Sequence, residues 1–166
     1  MKHQKGGALI ESVLMVPLLL SLLIGTVELA RVFYTYYTLE KVMYDLARYI
    51  GTQQGVNFCD PSDPSIVAAE NYALTGSTST SQDPVVPGLT PDMFQIAIER
   101  YDPAAQAMTP CDCSSAGCDA SQGGLPPNFI QVSLTDGYTV HPLFWGLSVD
   151  PFPLRPAVTV PYGGTC

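Results

Sequence analysis

The feature that most constrains this chain is an uncharged, largely apolar run from Ser12 to Val27, close to the N-terminus. As a helix rising 1.5 Å per residue, this run and the small residues before it span roughly 24–30 Å, which approaches the thickness of a bilayer core. Glu11 stands at the mouth of the run. A carboxylate entering a membrane costs a few kcal/mol and needs a partner. The run therefore predicts a membrane-spanning helix, and Glu11 is a functional candidate.

Charge is distributed unevenly about this run. Of the 166 residues only 13% are charged, and the net charge is −8. Lys2 and Lys5 precede the run, whereas most Asp and Glu residues follow it. Because positive residues are retained on the cytoplasmic side, we expect the N-terminus to stay inside and the remainder to be exported. The chain has no basic patch, which argues against nucleic-acid binding.

A cleaved secretory signal is the main alternative, because a basic start followed by an apolar core fits that template. No A-x-A-like cleavage site follows the core, however, and apolar residues recur at three- and four-residue steps over Leu29–Ile50. Gly51 then provides a helix stop signal. The pattern predicts one helix from about Gly7 to Thr52, with its first half in a membrane and its second half amphipathic.

Three further features belong to this predicted helix. Pro17 removes one helical hydrogen bond and predicts a kink. Glu28 and Arg31 are expected to pair along the helix and to mark the outer membrane boundary. The aromatic-rich segment Phe33–Tyr37 follows at the depth of an interfacial aromatic belt. Packing and membrane anchoring account for the boundary pair and for the aromatic residues.

All five cysteines follow the apolar run. In an oxidising exterior they would pair and leave one thiol free or intermolecular, with a connectivity that spacing alone does not fix. The cluster CDCSSAGC could instead suggest a metal knuckle, but it lacks the CxxC…CxxC spacing, and His141 is distant. Disulfides are therefore favoured and no metal site is expected. The candidates are Cys59, Cys111, Cys113, Cys118 and Cys166.

The first part of the exported region predicts loops and two short elements. A helix is expected over Pro64–Leu74, with Ser65 as its N-cap and Gly76 as its stop. Alternation of apolar and polar residues predicts a strand over Met93–Tyr101. The Pro- and Cys-rich segment 103–127 is expected to be a long loop held by disulfides.

The last part of the chain predicts strands. Phe129–Leu134 and Tyr138–Val140 flank Asp136-Gly137, which indicates a β-hairpin. Leu143–Leu147 and Val158–Val160 add apolar material, and the prolines between them predict edge strands or extended loops. Three or four antiparallel strands packed on the outer half of the helix would bury a small core.

The predicted fold class is therefore α+β, with a long membrane-spanning helix, a small antiparallel sheet and long disulfide-bearing loops. Four segments follow from this organisation: a cytoplasmic leader (1–6), a transmembrane part of the helix (7–28), an exported amphipathic half (29–52) and an exported small α+β domain (53–166).

No catalytic pattern is present in the sequence. It contains no nucleophile elbow, phosphate-binding loop or zinc-protease motif, and His141 lacks partners at a useful spacing. Asp60 and Asp63 lack the alternating oxygen ligands of a calcium loop and are expected to be turn residues. Trp145 is expected to pack in the core. We therefore expect no enzyme activity, no cofactor and no small-molecule substrate.

The first third of the chain resembles the helix of TadE-like minor pseudopilins, and the leader resembles that of type IV pilins. The resemblance rests on a small-residue start, a carboxylate, a proline in a Leu-rich core, a Gly-x-x-Glu motif, an aromatic-rich segment and an Ala-Arg-Tyr ending. Here these are Gly7-Ala8, Glu11, Pro17, Gly25 to Glu28, Phe33–Tyr37 and Ala47-Arg48-Tyr49. One departure is Ser12, which follows Glu11 where the family commonly has an aromatic residue.

The resemblance implies a pilin-like subunit of a tight-adherence (Tad) pilus, anchored in a bacterial inner membrane and used for surface attachment. It implies membrane lipid, other pilins or pseudopilins, and a prepilin peptidase as partners. Cleavage between Gly6 and Gly7 would make Glu11 the fifth mature residue, whereas cleavage after Gly7 would make it the fourth. An exported, single-pass binding module outside any filament is one alternative reading, and a secreted enzyme or inhibitor released by signal peptidase is another.

Overall fold

A computed structural model describes residues 4–78, 83–111, 113, 123–141 and 151–163 of the chain. Its dominant element is one α-helix, α1, which runs from Gln4 to Gly51. The helix continues through Pro17 without interruption. The long helix expected from the sequence is thus confirmed, with its start three residues earlier than predicted and its end one residue earlier.

The other described elements are short. A second helix, α2, spans Pro64–Thr75, and a 3₁₀ turn spans Pro91–Met93. The six strands are β1 (Phe94–Asp102), β2 (Ala107–Pro110), β3 (Phe129–Leu134), β4 (Tyr138–Val140), β5 (Phe152–Leu154) and β6 (Ala157–Pro161).

Four of these strands form an antiparallel sheet in the order β2-β1-β3-β6. Along β3, the buried side chains Ile130, Val132 and Leu134 alternate with partly exposed ones, which is the pattern of a strand with one face on a core. The outer half of α1 contacts β3, β6 and α2. The predicted α+β fold, with a small antiparallel sheet on the outer half of the helix, is confirmed.

The predicted hairpin between β3 and β4 is wrong. β3 pairs with β1 and β6, whereas β4 pairs with β5 in a separate two-stranded sheet. Gly137 has a φ of 78°, and a Cβ there would lie 2.8 Å from the carbonyl oxygen of Leu154 on β5. Glycine at this position therefore allows the chain to leave one sheet and pass close to the backbone of another, and does not close a two-residue turn.

Two further expectations need correction. Segment 103–127 is not all loop, because it contains β2, which pairs with β1 through a register that includes Asp102 and Ala107. The N-cap of α2 is Asp63 and not Ser65: the Asp63 side chain accepts a hydrogen bond of 2.8 Å from the Ser65 backbone N–H. Pro64 takes the first helical position, where its missing N–H costs nothing.

The remaining expectations for the exported region are mixed. Gly76 ends α2 in the left-handed conformation, as predicted. The strand expected from Met93 begins one residue later, at Phe94. The predicted apolar segment Leu143–Leu147 and Trp145 within it lie outside the described residues.

Candidate functional site: an uncovered helix with one carboxylate

In the part of the chain that the structure describes, nothing packs against the first half of α1. From Ile10 to Val27 the large apolar side chains are between 39% and 69% exposed. The helix is long and apolar enough to cross a membrane, and none of its most hydrophobic window is buried. Because exposure of this much contiguous apolar surface to water is unfavourable, lipid or another protein must cover it. The helix fits a single-pass membrane anchor.

Polar side chains within this half are satisfied by the helix itself. The hydroxyl of Ser21 donates to the carbonyl of Leu18, and that of Thr26 donates to the carbonyl of Leu23, each at 2.8 Å. Such back-bonding hides a hydroxyl from a medium that cannot hydrogen-bond. Ser21 and Thr26 therefore do not oppose insertion into a membrane.

Glu11 differs from these hydroxyl groups. It is the only charged residue from Ile10 to Val27, it is exposed, and it forms no ion pair among the residues that the structure describes. Gly6 and Gly7 lie in the first turn of α1, immediately before it. The first buried side chain on the helix, Leu39, is about 42 Å further along the axis. The described core of the domain that follows α1 therefore supplies no partner for Glu11.

The predicted boundary pair lies at the end of the apolar half. The guanidinium of Arg31 and the carboxylate of Glu28 approach to 3.9 Å across one helical turn. The Arg31 side chain is 52% exposed and that of Glu28 is 12% exposed. At a separation of 3.9 Å and with the Arg31 side chain half exposed, the pair is a weak contact and does not fix the fold.

The described cysteines follow α1 in the chain and are remote from Glu11. Cys59 and Cys113 form a disulfide that joins the chain just after α1 to the segment that follows β2. Cys111 is disulfide-bonded as well. Cys118 and Cys166 lie outside the described residues. The described disulfide therefore ties together two segments of the domain that follows α1.

The two aspartates considered as calcium ligands are engaged in local structure. Asp60 accepts hydrogen bonds from the hydroxyl and the backbone N–H of Ser62, which hold the pKa of that carboxyl below its usual range. Asp63 caps α2. Among the described residues no group of His, Cys, Asp and Glu side chains could hold a metal ion. His141 is exposed.

Comparison with known protein families finds a match that lies within α1. Residues 6–48 match the family described as TadE-like protein. The N-terminal helix is TadE-like. The match begins at Gly6 and ends at Arg48 within α1, so it includes Glu11, Pro17 and the outer aromatic residues. No curated protein and no solved structure matches the chain. The likeness lies in the helix, which is the part of the chain that the match covers.

One surface feature of α1 is not predicted from the sequence. Grooves flank the outer part of α1 on both sides of Tyr37 and Lys41, one beside α2 and one beside β6. The sequence predicts a membrane belt for the aromatic segment Phe33–Tyr37. It predicts no role for Lys41 or Tyr44. The signal that could have found them is the three- and four-residue spacing of exposed side chains on this face.

Proposed function

We propose that this protein is a membrane-anchored minor pseudopilin that takes part in the assembly, priming or capping of a Tad-type pilus used for surface attachment. The observation that carries the proposal is a TadE-like helix whose apolar half is uncovered and bears a single carboxylate, Glu11. In a helix that served only as an anchor, an unpaired charge at this place would oppose insertion.

Processing of the leader supplies a partner for this charge. Cleavage between Gly6 and Gly7 creates an α-amino group at the start of α1, four residues before Glu11. The amine of one subunit facing the Glu11 carboxylate of its neighbour would neutralise both, whereas either charge alone in apolar surroundings is costly. The competing role for Glu11 is local: a carboxylate near the N-terminus of its own helix complements the helix dipole.

The proposed function includes a cellular location, a membrane topology and partners. The leader with Lys2 and Lys5 stays in the cytoplasm, α1 crosses the bacterial inner membrane, and the domain from residue 53 onward is exported. A prepilin peptidase removes the leader, and other pilins or pseudopilins contact α1. The exported domain contributes no catalytic step in this proposal.

The role of Glu11 is tested by a pair of variants in the native host. Glu11→Ala should leave insertion and leader removal intact but reduce surface piliation and co-purification of other pilus subunits. Glu11→Asp is the matched control, because it keeps the charge and should retain most of the surface piliation and subunit co-purification. Unchanged piliation in Glu11→Ala would exclude the pairing role.

The cleavage site is tested separately. Gly6→Val should block processing, because the peptidase is expected to need a small residue before the cut. Mature protein of normal mass from this variant would place the cut after another residue, and the matched variant Gly7→Val then locates it.

A further inference from the structure

The exposed face of outer α1 carries one continuous line of side chains, which we name the outer seam. Its members are spaced alternately by four and three residues, as in positions a and d of a heptad repeat. Tyr34 is 75% exposed, Tyr37 66% and Tyr44 47%. The outer seam consists of Ala30, Tyr34, Tyr37, Lys41, Tyr44 and Arg48, all of which are exposed.

A membrane-interface belt does not account for this seam. Tyr44 lies thirteen residues beyond Arg31, which is about 20 Å along the helix axis. The headgroup layer on one side of a bilayer is only about 5–8 Å thick. If Arg31 marks the membrane boundary, Tyr34 is within reach of the headgroups, but Tyr44 stands well outside them. A large aromatic side chain held in water at this height indicates a protein contact.

The surroundings of the seam have the shape that a second helix requires. One groove of about 510 Å³ runs between α1 and α2, with Tyr72 of α2 on its far wall. Another of about 390 Å³ runs between α1 and Val158 of β6. Tyr37 and Lys41 form the ridge between them, because they line both grooves. A partner helix laid along this ridge would place its side chains into the grooves on either side.

The seam also continues into the membrane. Counting back from Ala30 by the same steps gives residues that are all apolar and all more than half exposed. They are Val27, Leu23, Leu20, Val16 and Val13. Lipid can cover this inner part but not Tyr44. A single occupant that follows the whole line must itself cross the membrane and extend beyond it, as α1 does.

The charged residues of the seam and its flanks disfavour an identical helix as the occupant. Lys41 is at an a position, and the flanking g and e positions hold Glu40 and Asp45. In a parallel, in-register pair of identical chains, Lys41 would face Lys41, and Glu40 would face Asp45 of the other chain across the g–e contact. Both contacts are repulsive. Lys41 and Arg48 form no ion pair among the described residues, so both remain available to an acidic partner.

We propose that the outer seam docks a different single-pass membrane protein, whose helix runs parallel to α1 and carries carboxylates opposite Lys41 and Arg48. The inference rests on the proposed function only in taking α1 as a membrane anchor. It adds that the complex is heterotypic and that its recognition extends well outside the bilayer.

Photo-crosslinking in membranes of the native host tests this proposal with the full-length chain. The photoreactive residue p-benzoylphenylalanine replaces Tyr37 or Tyr44, and Tyr101 on β1, which is 50% exposed, is the matched control. Tyr37 and Tyr44 should give an adduct with one second protein and Tyr101 should not. Mass spectrometry of the linked peptide should place it in a helix continuous with an apolar span and containing Asp or Glu. An adduct with lipid alone, or equal adducts at all three sites, would overturn the proposal.

A charge reversal distinguishes a different chain from a second copy. Glu40→Lys replaces the Glu40–Asp45 repulsion of an identical pair by attraction, so it should raise self-crosslinking if the partner is this same chain. With a different partner whose flanking residues are complementary to Glu40, the same change should lower the adduct several-fold. Lys41→Glu should lower it as well, whereas Lys41→Arg should preserve it. An adduct between two tagged copies of this chain that rises in Glu40→Lys would disprove the heterotypic seam.

These outcomes are separable from those that test the proposed function. If Tyr37 and Tyr44 give no protein adduct in the otherwise unchanged chain, while leader removal and piliation are normal, the seam alone is contradicted. A seam adduct that persists while Glu11→Ala is fully piliated contradicts the pseudopilin role of Glu11 and leaves the seam standing.

Discussion

The two halves of α1 are one helix with opposite surroundings. Leu19 in the first half is 61% exposed, whereas Leu46 in the second half is fully buried. From Leu39 to Ile50 the helix supplies six of the residues in the core of the exported domain. Between Ile10 and Val27 it supplies none. The change falls where the sequence passes from apolar on every side to apolar on one side only.

This difference shows that apolar composition alone does not determine where a residue is buried. The second half is stabilised by contacts within its own chain, so its sequence needs one apolar stripe and can leave the rest polar. The first half has no such contacts with the residues that the structure describes, and we expect lipid and other chains to stabilise it. Damage to one half should therefore not be felt in the other.

Matched truncations in the two halves of α1 should show the difference between them most strongly. Leu46→Ala should destabilise the domain that follows α1 by about 2–5 kcal/mol, because it leaves a cavity in the core to which Leu46 belongs. Leu19→Ala removes the same atoms from the uncovered half and should change the domain's stability by less than about 0.5 kcal/mol. Thermal unfolding of the full-length protein in detergent measures both. Equal losses would mean that the first half also packs on the domain.

The disulfide should matter to the exported half alone. Cys59 and Cys113 are 54 residues apart in the sequence. The double variant Cys59→Ser, Cys113→Ser, which leaves neither thiol of this pair behind, should lower the domain's stability by about 2–4 kcal/mol through the entropy of the unfolded chain. Its membrane insertion, measured by resistance to alkaline extraction, should be unchanged. Loss of insertion in this variant would contradict the separation of the two halves.

The cap of α2 gives a smaller effect and sharpens one correction. Asp63→Ala should cost about 1 kcal/mol, because the carboxylate that accepts from the Ser65 N–H is lost. Ser65→Ala is the control and should be nearly neutral, because Ser65 contributes its backbone N–H to the cap. Chemical denaturation of the two variants compares them directly. The opposite order would restore Ser65 as the cap.

The smallest expected effect is on pH dependence. Burial raises the pKa of Glu70 on α2 to about 7 from an ordinary value of 4.5. Because the folded chain then holds a proton that the unfolded chain has lost, stability from this group is present below pH 4.5 and is lost as the pH rises through 7. Glu70→Gln should flatten this decline. Asp60→Asn should not alter the slope in that range, since the pKa of Asp60 is lowered. Melting temperatures of the two variants and the unchanged chain between pH 5 and 8 measure these slopes.

Local patterns predicted the helices well and the strand pairing poorly. The helix α1 and the stop of α2 at Gly76 follow from periodicity and from single residues, which are read off neighbours in the chain. The partner of β4 is β5, which begins more than ten residues later, and nothing between Leu134 and Tyr138 reveals that the chain leaves the first sheet there. Turn residues such as Asp136-Gly137 fix a local conformation but do not choose the strand that pairs.

The candidate site shows a similar division. Glu11 is visible in the sequence because a charge at the edge of an apolar run is anomalous by itself. The outer seam required the structure, because only packing shows that α2 and β6 cover the sides of α1 and leave the face with Tyr37 and Lys41 open. From the sequence alone, exposed tyrosines near a membrane helix are explained by an interfacial aromatic belt. The distance of Tyr44 from the membrane boundary argues against that explanation.

The intact mass of the protein extracted from membranes of its native host tests the central claim most directly. The account predicts a mature chain that lacks Met1–Gly6, or Met1–Gly7, and retains the whole apolar helix. An unprocessed chain in a host with an active prepilin peptidase would contradict the pseudopilin function and favour an anchored binding module. A chain beginning near Arg31 would show release by signal peptidase, and neither Glu11 nor the membrane part of the seam would then belong to the mature protein.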